Sequence, residues 1–343
     1  MRYPSLSTYA IALLGGCMFQ LLHIPIPFIL GPVTAIVFAK SLFHMESSTF
    51  PLARDIAFVL LGIQIGHTFT SDTFTSIFPY MLPYALLSFL MIGICLVIGL
   101  GISKRTGMDK TTSMVGSSPG GLSAMIAISE SLQGNSGLVT IFHTLRLMSV
   151  LFIIPFFVTH MWGGENSAAV DYSLSVDGPL WTVLFYILVF FIGMKGKHKI
   201  PAGLVVLPMI VIGAIQTSGL FLYSLPSSLF SASQLMVGTY LGHTIMPREI
   251  VRAGKSCFYF LSLSIFIIAV GILFAFLFSF WTGVDIVTSV LALAPGGLVE
   301  MSITAGQTGG DPAVVSSLQT IRLLTIVLVL PLLFKRMERH IRM

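Results

Sequence analysis

The chain contains one sequence unit twice, and a constant offset of 176 residues relates the two copies. The matched segments are Pro-Gly-Gly-Leu at 119–122 and 295–298, Thr-x-Arg-Leu at 144–147 and 320–323, and Gly-His-Thr at 66–68 and 242–244. Self-similarity at a fixed offset is typical of a fused duplication. In a membrane chain it predicts two similar halves around one shared site. We therefore divide the chain into a first transmembrane repeat at 1–167 and a second at 177–343.

The composition is that of a membrane protein. Hydrophobic residues make up 55% of the chain and charged residues 9%, whereas about a quarter of a globular domain is charged. Apolar runs of about 17–25 residues, long enough to cross a bilayer as helices, recur along the chain. We expect an all-α membrane protein with about ten transmembrane helices. The expected spans lie near 6–22, 26–43, 51–68, 78–103, 136–160, 178–194, 201–219, 228–245, 257–281 and 312–334.

The distribution of Lys and Arg predicts the topology. Two further apolar segments, 111–132 and 287–306, contain the Pro-Gly-Gly motifs. If each segment enters the membrane and returns, each repeat has five crossings and the second repeat is inverted. With a cytoplasmic N-terminus, every Lys and Arg except two then lies in a cytoplasmic segment, as the positive-inside rule requires. These residues are Arg2, Lys40, Arg54, Lys104, Arg105, Lys110, Lys195, Lys197, Lys199, Arg248, Arg252, Lys255, Lys335, Arg336, Arg339 and Arg342.

This topology gives an inner-membrane protein with both termini in the cytoplasm, an external loop at 161–177 and two inverted five-helix repeats. Full crossing of the Pro-Gly-Gly segments would instead place the basic loops of the second repeat outside. Equivalent positions of the two repeats also differ in charge, as their opposite orientations require. Lys104-Arg105 of the first repeat aligns with Phe280-Trp281 of the second.

Two equivalent arginines, Arg146 and Arg322, are the exceptions to the charge pattern. Asn135 and Asp311 look like helix caps, and Arg146 lies ten residues after Ser136. At about 1.5 Å per residue it lies about 15 Å deep, near the middle of the hydrocarbon core. A charge there costs at least a few kcal/mol and needs a partner or a water-filled cavity. Both an anion site and a structural role, as a salt bridge or a cap on backbone carbonyls, are consistent with this position.

The Pro-Gly-Gly motifs predict a re-entrant hairpin or broken helix in each repeat, with its turn at 119–121 and at 295–297. Pro ends a helix, and paired Gly permits backbone conformations that other residues avoid. The half-helix after each turn would direct free N–H groups and a positive dipole end inward, an arrangement that favours anions. The alternative is a break that serves only helix packing.

The candidate substrate-binding residues lie at the two turns or at the two arginines. They are Arg146, Arg322, Gly120, Gly121, Gly296, Gly297, Ser118, Ser123 and Glu300. Glu300 aligns with Ala124, so the halves are not identical, and its carboxyl group could pair with an arginine or carry a proton. The sequence contains no P-loop, CxxC motif, nucleophile elbow or metal-ligand spacing, so we expect no enzymatic activity, metal or cofactor.

The doubled Pro-Gly-Gly-Leu…Met unit, the Thr-x-Arg-Leu…Pro that follows it and the Gly-His-Thr of each half resemble the AbrB-type integral membrane family over the whole chain. Members are labelled AbrB-family transcriptional regulators or ammonia monooxygenases. The resemblance implies a polytopic inner-membrane protein associated with regulation of gene expression. The architecture is also similar to the sodium/proton-antiporter and bile-acid-symporter superfamily, in which inverted five-helix repeats surround broken helices.

These observations favour a secondary transporter of a small anionic solute with indirect effects on gene expression; coupling to protons or sodium ions stays open. The alternative is a membrane sensor or regulator of gene expression without transport. A monooxygenase comes third, because it would need a copper or iron site of several His and carboxylates. The expected partners are the solute and the lipid bilayer. No direct nucleic-acid binding is expected, since there is no soluble basic module, and a homodimer stays open.

Overall fold

The computed structural model describes residues 4–70, 73–162, 178–197, 199–220 and 222–341. Side chains at 4, 74, 122–124, 127, 252 and 330–341 fall outside the description. Within the described ranges the regular secondary structure is helical, and no strands occur.

The first half contains seven helices within the described residues. They are α1 (Pro4–Leu21), α2 (Pro27–Leu42), α3 (Pro51–His67), α4 (Thr73–Thr106), α5 (Lys110–Ser117), α6 (Leu122–Ser131) and α7 (Ser136–Met161). In the second half a short 3₁₀ helix, Leu180–Thr182, leads into a matching series. These helices are α8 (Val183–Gly196), α9 (Gly203–Thr217), α10 (Ser227–Thr244), α11 (Pro247–Arg252), α12 (Lys255–Thr282), α13 (Ile286–Leu293), α14 (Leu298–Thr308) and α15 (Pro312–Ile341). The short helix α11 was not expected from the sequence.

Helices therefore occupy every segment that the sequence predicts to be a span. Four of the described helices, α4, α7, α12 and α15, are long and apolar enough to cross a membrane by length and composition, and they indicate a membrane protein. Helices α1, α2, α8 and α9 are apolar but shorter. Helices α3 and α10 carry buried polar side chains, which lower their hydropathy. These side chains are Asp55, Gln64, Ser233, Gln234 and Thr239.

Side-chain caps fix the starts of the helices around the Pro-Gly-Gly motifs. Asp109 accepts a hydrogen bond from a backbone N–H of α5 at 2.9 Å, and Asp285 does the same for α13 at 2.8 Å. Asn135 caps α7 at 3.0 Å, and Asp311 caps α15 at 2.8 Å and 3.1 Å. Each cap satisfies donors that the first helical turn leaves free. The helix starts expected at Asn135 and Asp311 are confirmed.

The helices pack in two groups, and each group contains helices of both halves. Group A comprises α1–α3 and α8–α10, and group B comprises α4–α7 and α12–α15. The groups meet where α3 packs against α14 and α15. Apolar side chains such as Leu61 and Val205 of group A and Leu298 and Ile303 of group B fill this junction. The packing groups therefore do not coincide with the two sequence repeats, because each group contains helices of both.

Two equivalent glycines allow helices of the two halves to approach closely within group A. A Cβ on Gly62 of α3 would lie 2.5 Å from the carbonyl oxygen of Val205 on α9. A Cβ on Gly238 of α10 would lie 2.7 Å from the carbonyl oxygen of Ile29 on α2. Because both pairs are related by the 176-residue offset, α3 packs on α9 as α10 packs on α2. In each of these two contacts, one helix comes from the first half and one from the second.

Candidate functional site

Each Pro-Gly-Gly motif breaks a helix. Helix α5 ends at Ser117 and α6 begins at Leu122, and α13 and α14 are separated in the same way. The backbone is extended on both sides of the breaks, with φ −67° and ψ 136° at Ser118 and φ −79° and ψ 148° at Gly297. The expected breaks at 119–121 and 295–297 are thus found in the structure.

Close packing, rather than an unusual backbone conformation, distinguishes Gly120 and Gly296. We expected backbone conformations that other residues avoid, but φ is −71° at Gly121, and none of the four motif glycines has a positive φ. A Cβ on Gly120 or Gly296 would instead lie 2.6 or 2.9 Å from the Cε atom of the methionine five residues further along. The methionine, which is part of the duplicated motif, packs over the turn, and its terminal methyl group would have to move to admit a side chain.

The two arginines cap the broken helices. Arg146 donates from Nη1 to the carbonyl oxygen of Ser118 at 2.6 Å and from Nη2 to that of Gly120 at 2.8 Å. Arg322 donates from Nη1 to Ala294 at 2.7 Å and from Nη2 to Gly296 at 3.1 Å. The planar guanidinium fork thereby satisfies carbonyls that the end of a helix leaves free. The carbonyl-capping role that the sequence left open is therefore present in both halves.

Sequence reasoning missed the residues three positions before each arginine. Nε2 of His143 lies 3.1 Å from the carbonyl oxygen of Val115, and Nε2 of Gln319 donates to that of Leu291 at 2.8 Å. These equivalent contacts tie α7 and α15 to the half-helices α5 and α13. The three-residue spacing to each arginine could have indicated these residues in the sequence, because residues three apart share one helix face.

The environments of the two arginines differ. The Oε1 atom of Gln319 accepts a further hydrogen bond from Nη2 of Arg322. In the first half, Nδ1 of His143 and Nε of Arg146 are buried without a hydrogen-bond partner among the described residues. A polar atom buried without a partner is costly, so this side of the site has unused hydrogen-bonding capacity.

A cavity of about 360 Å³ lies between groups A and B and brings the two breaks together. Its group B wall consists of Pro119, Gly120, Gly121, His143, Thr144, Arg146, Leu147, Pro295, Gly296, Gly297, Leu298, Val299, Glu300, Gln319, Arg322, Leu323 and Ile326. Its group A wall consists of Phe58, Lys197, Ala202, Gly203, Leu204, Val205 and Thr244. Most of the candidate residues thus face one space that both halves build.

Two candidate serines do not add a described hydroxyl to this cavity. Ser118 is fully buried, and its hydroxyl donates to the carbonyl oxygen of Met114 at 2.7 Å. Ser118 contributes its own carbonyl oxygen to Arg146 instead. Ser123 lies in α6, and its side chain is outside the described part of the chain.

Glu300 makes the two helix ends at the cavity unequal. It is buried in the first turn of α14, and a Cβ on Gly297 would lie 1.9 Å from its Oε2 atom. The carboxyl group therefore covers the N-terminal end of α14, where the helix dipole favours negative charge. At Gly121, before α6, no described atom lies within 4 Å of the equivalent position. Among the described atoms, the first half leaves this space open.

The ion pair considered between Glu300 and an arginine is not present among the described residues. The two ion pairs within 4.0 Å that the described residues form both involve Asp55. The physical reason is that backbone carbonyls already occupy both guanidinium forks, while Glu300 folds back over its own helix end.

A second charged cluster at the cavity, around Asp55, was also missed. Asp55 of α3 is 2% exposed. Its Oδ1 atom accepts from Nε and Nη2 of Arg54 at 2.9 and 2.7 Å, and its Oδ2 atom pairs with Nζ of Lys197. The guanidinium of Arg54 lies 5.0 Å from the ring centroid of Tyr240. Lys197, which directly follows α8, also lines the cavity.

The cavity chemistry suits an anionic ligand. Its lining contains three cationic side chains, of Arg146, Arg322 and Lys197, and one carboxyl group, that of Glu300. No group of three or more His, Cys, Asp and Glu side chains suited to a metal ion occurs among the described residues.

Together, the fold and the site define a class of protein: a helical membrane protein whose duplicated halves place two broken helices around one cavity. The chain belongs to the AbrB family. The family model described as "Transition state regulatory protein AbrB" matches residues 4–103 and residues 28–338. The resemblance expected from the duplicated motifs is thereby confirmed.

Two curated relatives match over nearly the whole chain. A protein of Escherichia coli strain K12 described as "Putative regulator AbrB" is 28% identical over 335 residues, which cover 94% of this chain and 92% of that protein. A protein of Bacillus subtilis strain 168 described as "Uncharacterized protein YhjN" is 24% identical over 360 residues, which cover 97% of this chain and 92% of that protein.

Replacing either arginine with glutamine is expected to destabilise the protein. Arg146→Gln or Arg322→Gln leaves at least one buried carbonyl without its donor, at a cost of about 1–3 kcal/mol. Lysine should rescue only part of this loss, because an ammonium lacks the planar fork. The measurement is the apparent melting temperature of the detergent-solubilised protein. Lys110→Gln, which removes an exposed cation from the same group, is the control. Unchanged melting of both arginine variants would contradict the capping role.

Proposed function

We propose that the protein is a secondary transporter of a small anionic solute and that its effects on gene expression are indirect. The observation that carries the proposal is the cavity between the helix groups, where two equivalent arginines meet the starts of two half-helices. The proposal assigns no enzymatic step to this site.

The charge and size of the cavity support an anion of small-molecule dimensions. Free N–H groups at a helix start and a buried guanidinium both attract negative charge. The volume of about 360 Å³ lies at the lower end of the range for small-molecule sites. Carboxylates, amino acids and other small anions are therefore the expected solutes. Because walls from both groups enclose the cavity, a bound solute would contact both.

Inverted repeats are the second part of the proposal. The reciprocal packing of α3 on α9 and of α10 on α2 supports a pseudo-twofold relation between the halves. The Lys and Arg pattern supports opposite orientations with ten crossings, both termini in the cytoplasm and the loop 161–177 outside. Broken helices at membrane depth are tolerated where they line a cavity, which is where these breaks lie.

The alternative is a membrane sensor or regulator of gene expression without transport. The name printed for the Escherichia coli relative, "Putative regulator AbrB", favours it. A sensor would use the same cavity and would bind the anion, but it would not carry it across the membrane. The two functions therefore differ in flux rather than in binding.

The first test is a search for the anion, followed by a flux measurement. Purified protein is screened by thermal shift against carboxylates, amino acids and inorganic anions, and the anion that binds is then offered to proteoliposomes. We expect saturable binding and uptake that requires the protein. Binding without uptake would favour the sensor, and the absence of any anion that stabilises the protein would contradict both.

Two variants separate loss of the site from loss of the fold. Arg322→Ala should abolish binding but also removes a helix cap. Gly121→Leu adds a side chain to the open space at α6, where no described atom lies within 4 Å, and should reduce anion affinity at least tenfold without lowering stability. Gly101→Leu, on α4, is the matched control, since its position is equally open but does not line the cavity. Equal affinity in both glycine variants would place the anion elsewhere.

The inverted topology is tested at one pair of equivalent positions. Lys104→Cys and Phe280→Cys are made singly in a chain without its native cysteines, and intact cells are treated with a membrane-impermeant maleimide. Inverted repeats predict labelling of Phe280→Cys from outside and of Lys104→Cys only after the membrane is opened. Labelling of both positions from the same side would show that the repeats are parallel.

A further inference from the structure

We propose that Lys197 is a specificity-determining residue of the anion site and that it selects solutes with two negative charges. This inference rests on the proposed function and names its substrate class. In the structure Lys197 is paired with Asp55. A dianion would take this ammonium from Asp55 while its other anionic group lies near the arginines. The solute would then connect groups A and B.

The position of Lys197 relative to the arginines supports this role. Arg146 and Arg322 belong to group B, whereas Lys197 follows α8 in group A, and all three line the same cavity. The other group A residues of the lining are apolar apart from the hydroxyl of Thr244. Lys197 is therefore the charged residue that the described group A wall offers to a solute.

The cluster around Asp55 allows Lys197 to leave. The side chain of Lys197 is 26% exposed, whereas that of Asp55 is 3% exposed. Asp55 keeps two hydrogen bonds from Arg54 when the lysine moves, and Arg54 is itself held over the ring of Tyr240. A buried carboxylate without any partner would be strongly unfavourable. Arg54 removes that penalty, so an anion can compete with Asp55 for the ammonium.

The charges of the lining match a dianion. The three cations exceed the one carboxyl group, that of Glu300, by two charges. The arginine forks are committed to backbone carbonyls, whereas an ammonium on a flexible four-carbon stem can follow a second anionic group. Lys197 corresponds to Leu21 in the first half, so this cation is not part of the duplicated framework. The site therefore has a second cationic end, on the group A wall, toward which a longer and doubly charged solute can extend.

The test compares probes of equal length and different charge. Binding of succinate, a dianion, and of butyrate, a monoanion of the same chain length, is measured by calorimetry, with malonate and propionate as a shorter pair. We expect the wild-type protein to bind each dianion at least tenfold more tightly than its monoanion. Lys197→Gln should weaken dianion binding at least tenfold and change monoanion binding less than twofold.

Lys195→Gln is the matched control. It removes an exposed cation from the last turn of α8, two residues before Lys197, that does not line the cavity. We expect this variant to preserve the ratio of dianion to monoanion affinity. If Lys197→Gln and Lys195→Gln lower dianion affinity equally, the effect is a general loss of positive charge and the inference is wrong.

The remaining outcomes separate this inference from the proposed function. If Arg322→Ala abolishes binding of both probe classes while Lys197→Gln keeps the wild-type ratio, the anion site stands and the role of Lys197 is refuted. The same holds if the wild-type protein binds only the monoanions. If the wild-type protein binds none of the four probes and no other anion, the proposed function fails together with the inference.

Discussion

The hydrogen bonds from a buried arginine to the carbonyls of a broken helix are the interaction on which this structure depends. A break inside a membrane protein leaves carbonyl and N–H groups without partners in a medium that cannot solvate them. Arg146 and Arg322 each supply a planar fork that satisfies two carbonyls at once. The N–H groups beyond the break stay free of this fork. The break that the arginine stabilises thus also leaves a helix start that can attract an anion.

The same arrangement explains how a structural and a binding role can share one side chain. A guanidinium has five N–H donors and keeps its charge at any pH that a protein experiences. Backbone carbonyls use some of these donors without neutralising the charge. The first half has spare capacity, since Nε of Arg146 and Nδ1 of His143 have no partner among the described residues. In the second half, Gln319 accepts a hydrogen bond from Nη2 of Arg322, and Glu300 covers the start of α14.

Much of this architecture could be predicted from the sequence, because duplication gives each signal twice. The helix positions, the two breaks and the caps at Asn135 and Asp311 all follow from local patterns that recur at one offset. The two arginines that the duplication makes equivalent, Arg146 and Arg322, both line the cavity. Features that differ between the halves were harder to foresee. Lys197 corresponds to Leu21, and its pairing with Asp55 joins residues that are far apart in the sequence.

The physical reason for the glycines also required coordinates. Glycine can serve backbone freedom or close packing, and sequence alone does not distinguish these uses. The negative φ at Gly121 and Gly297 shows that neither uses the left-handed region, and methionines pack over Gly120 and Gly296. In the same way, only the packing of Glu300 against Gly297 shows that this carboxyl group covers a helix start.

The central claim is that an anion binds between the two breaks, beside arginines that keep their backbone contacts. The most direct measurement is a pair of cryo-electron microscopy maps of the full chain in lipid nanodiscs, without and with the anion that binds most tightly. The account predicts added density next to Gly121 and the two guanidinium groups, with both arginines still on their carbonyls. Added density outside the cavity, or an unchanged cavity in protein shown to be saturated, would contradict it.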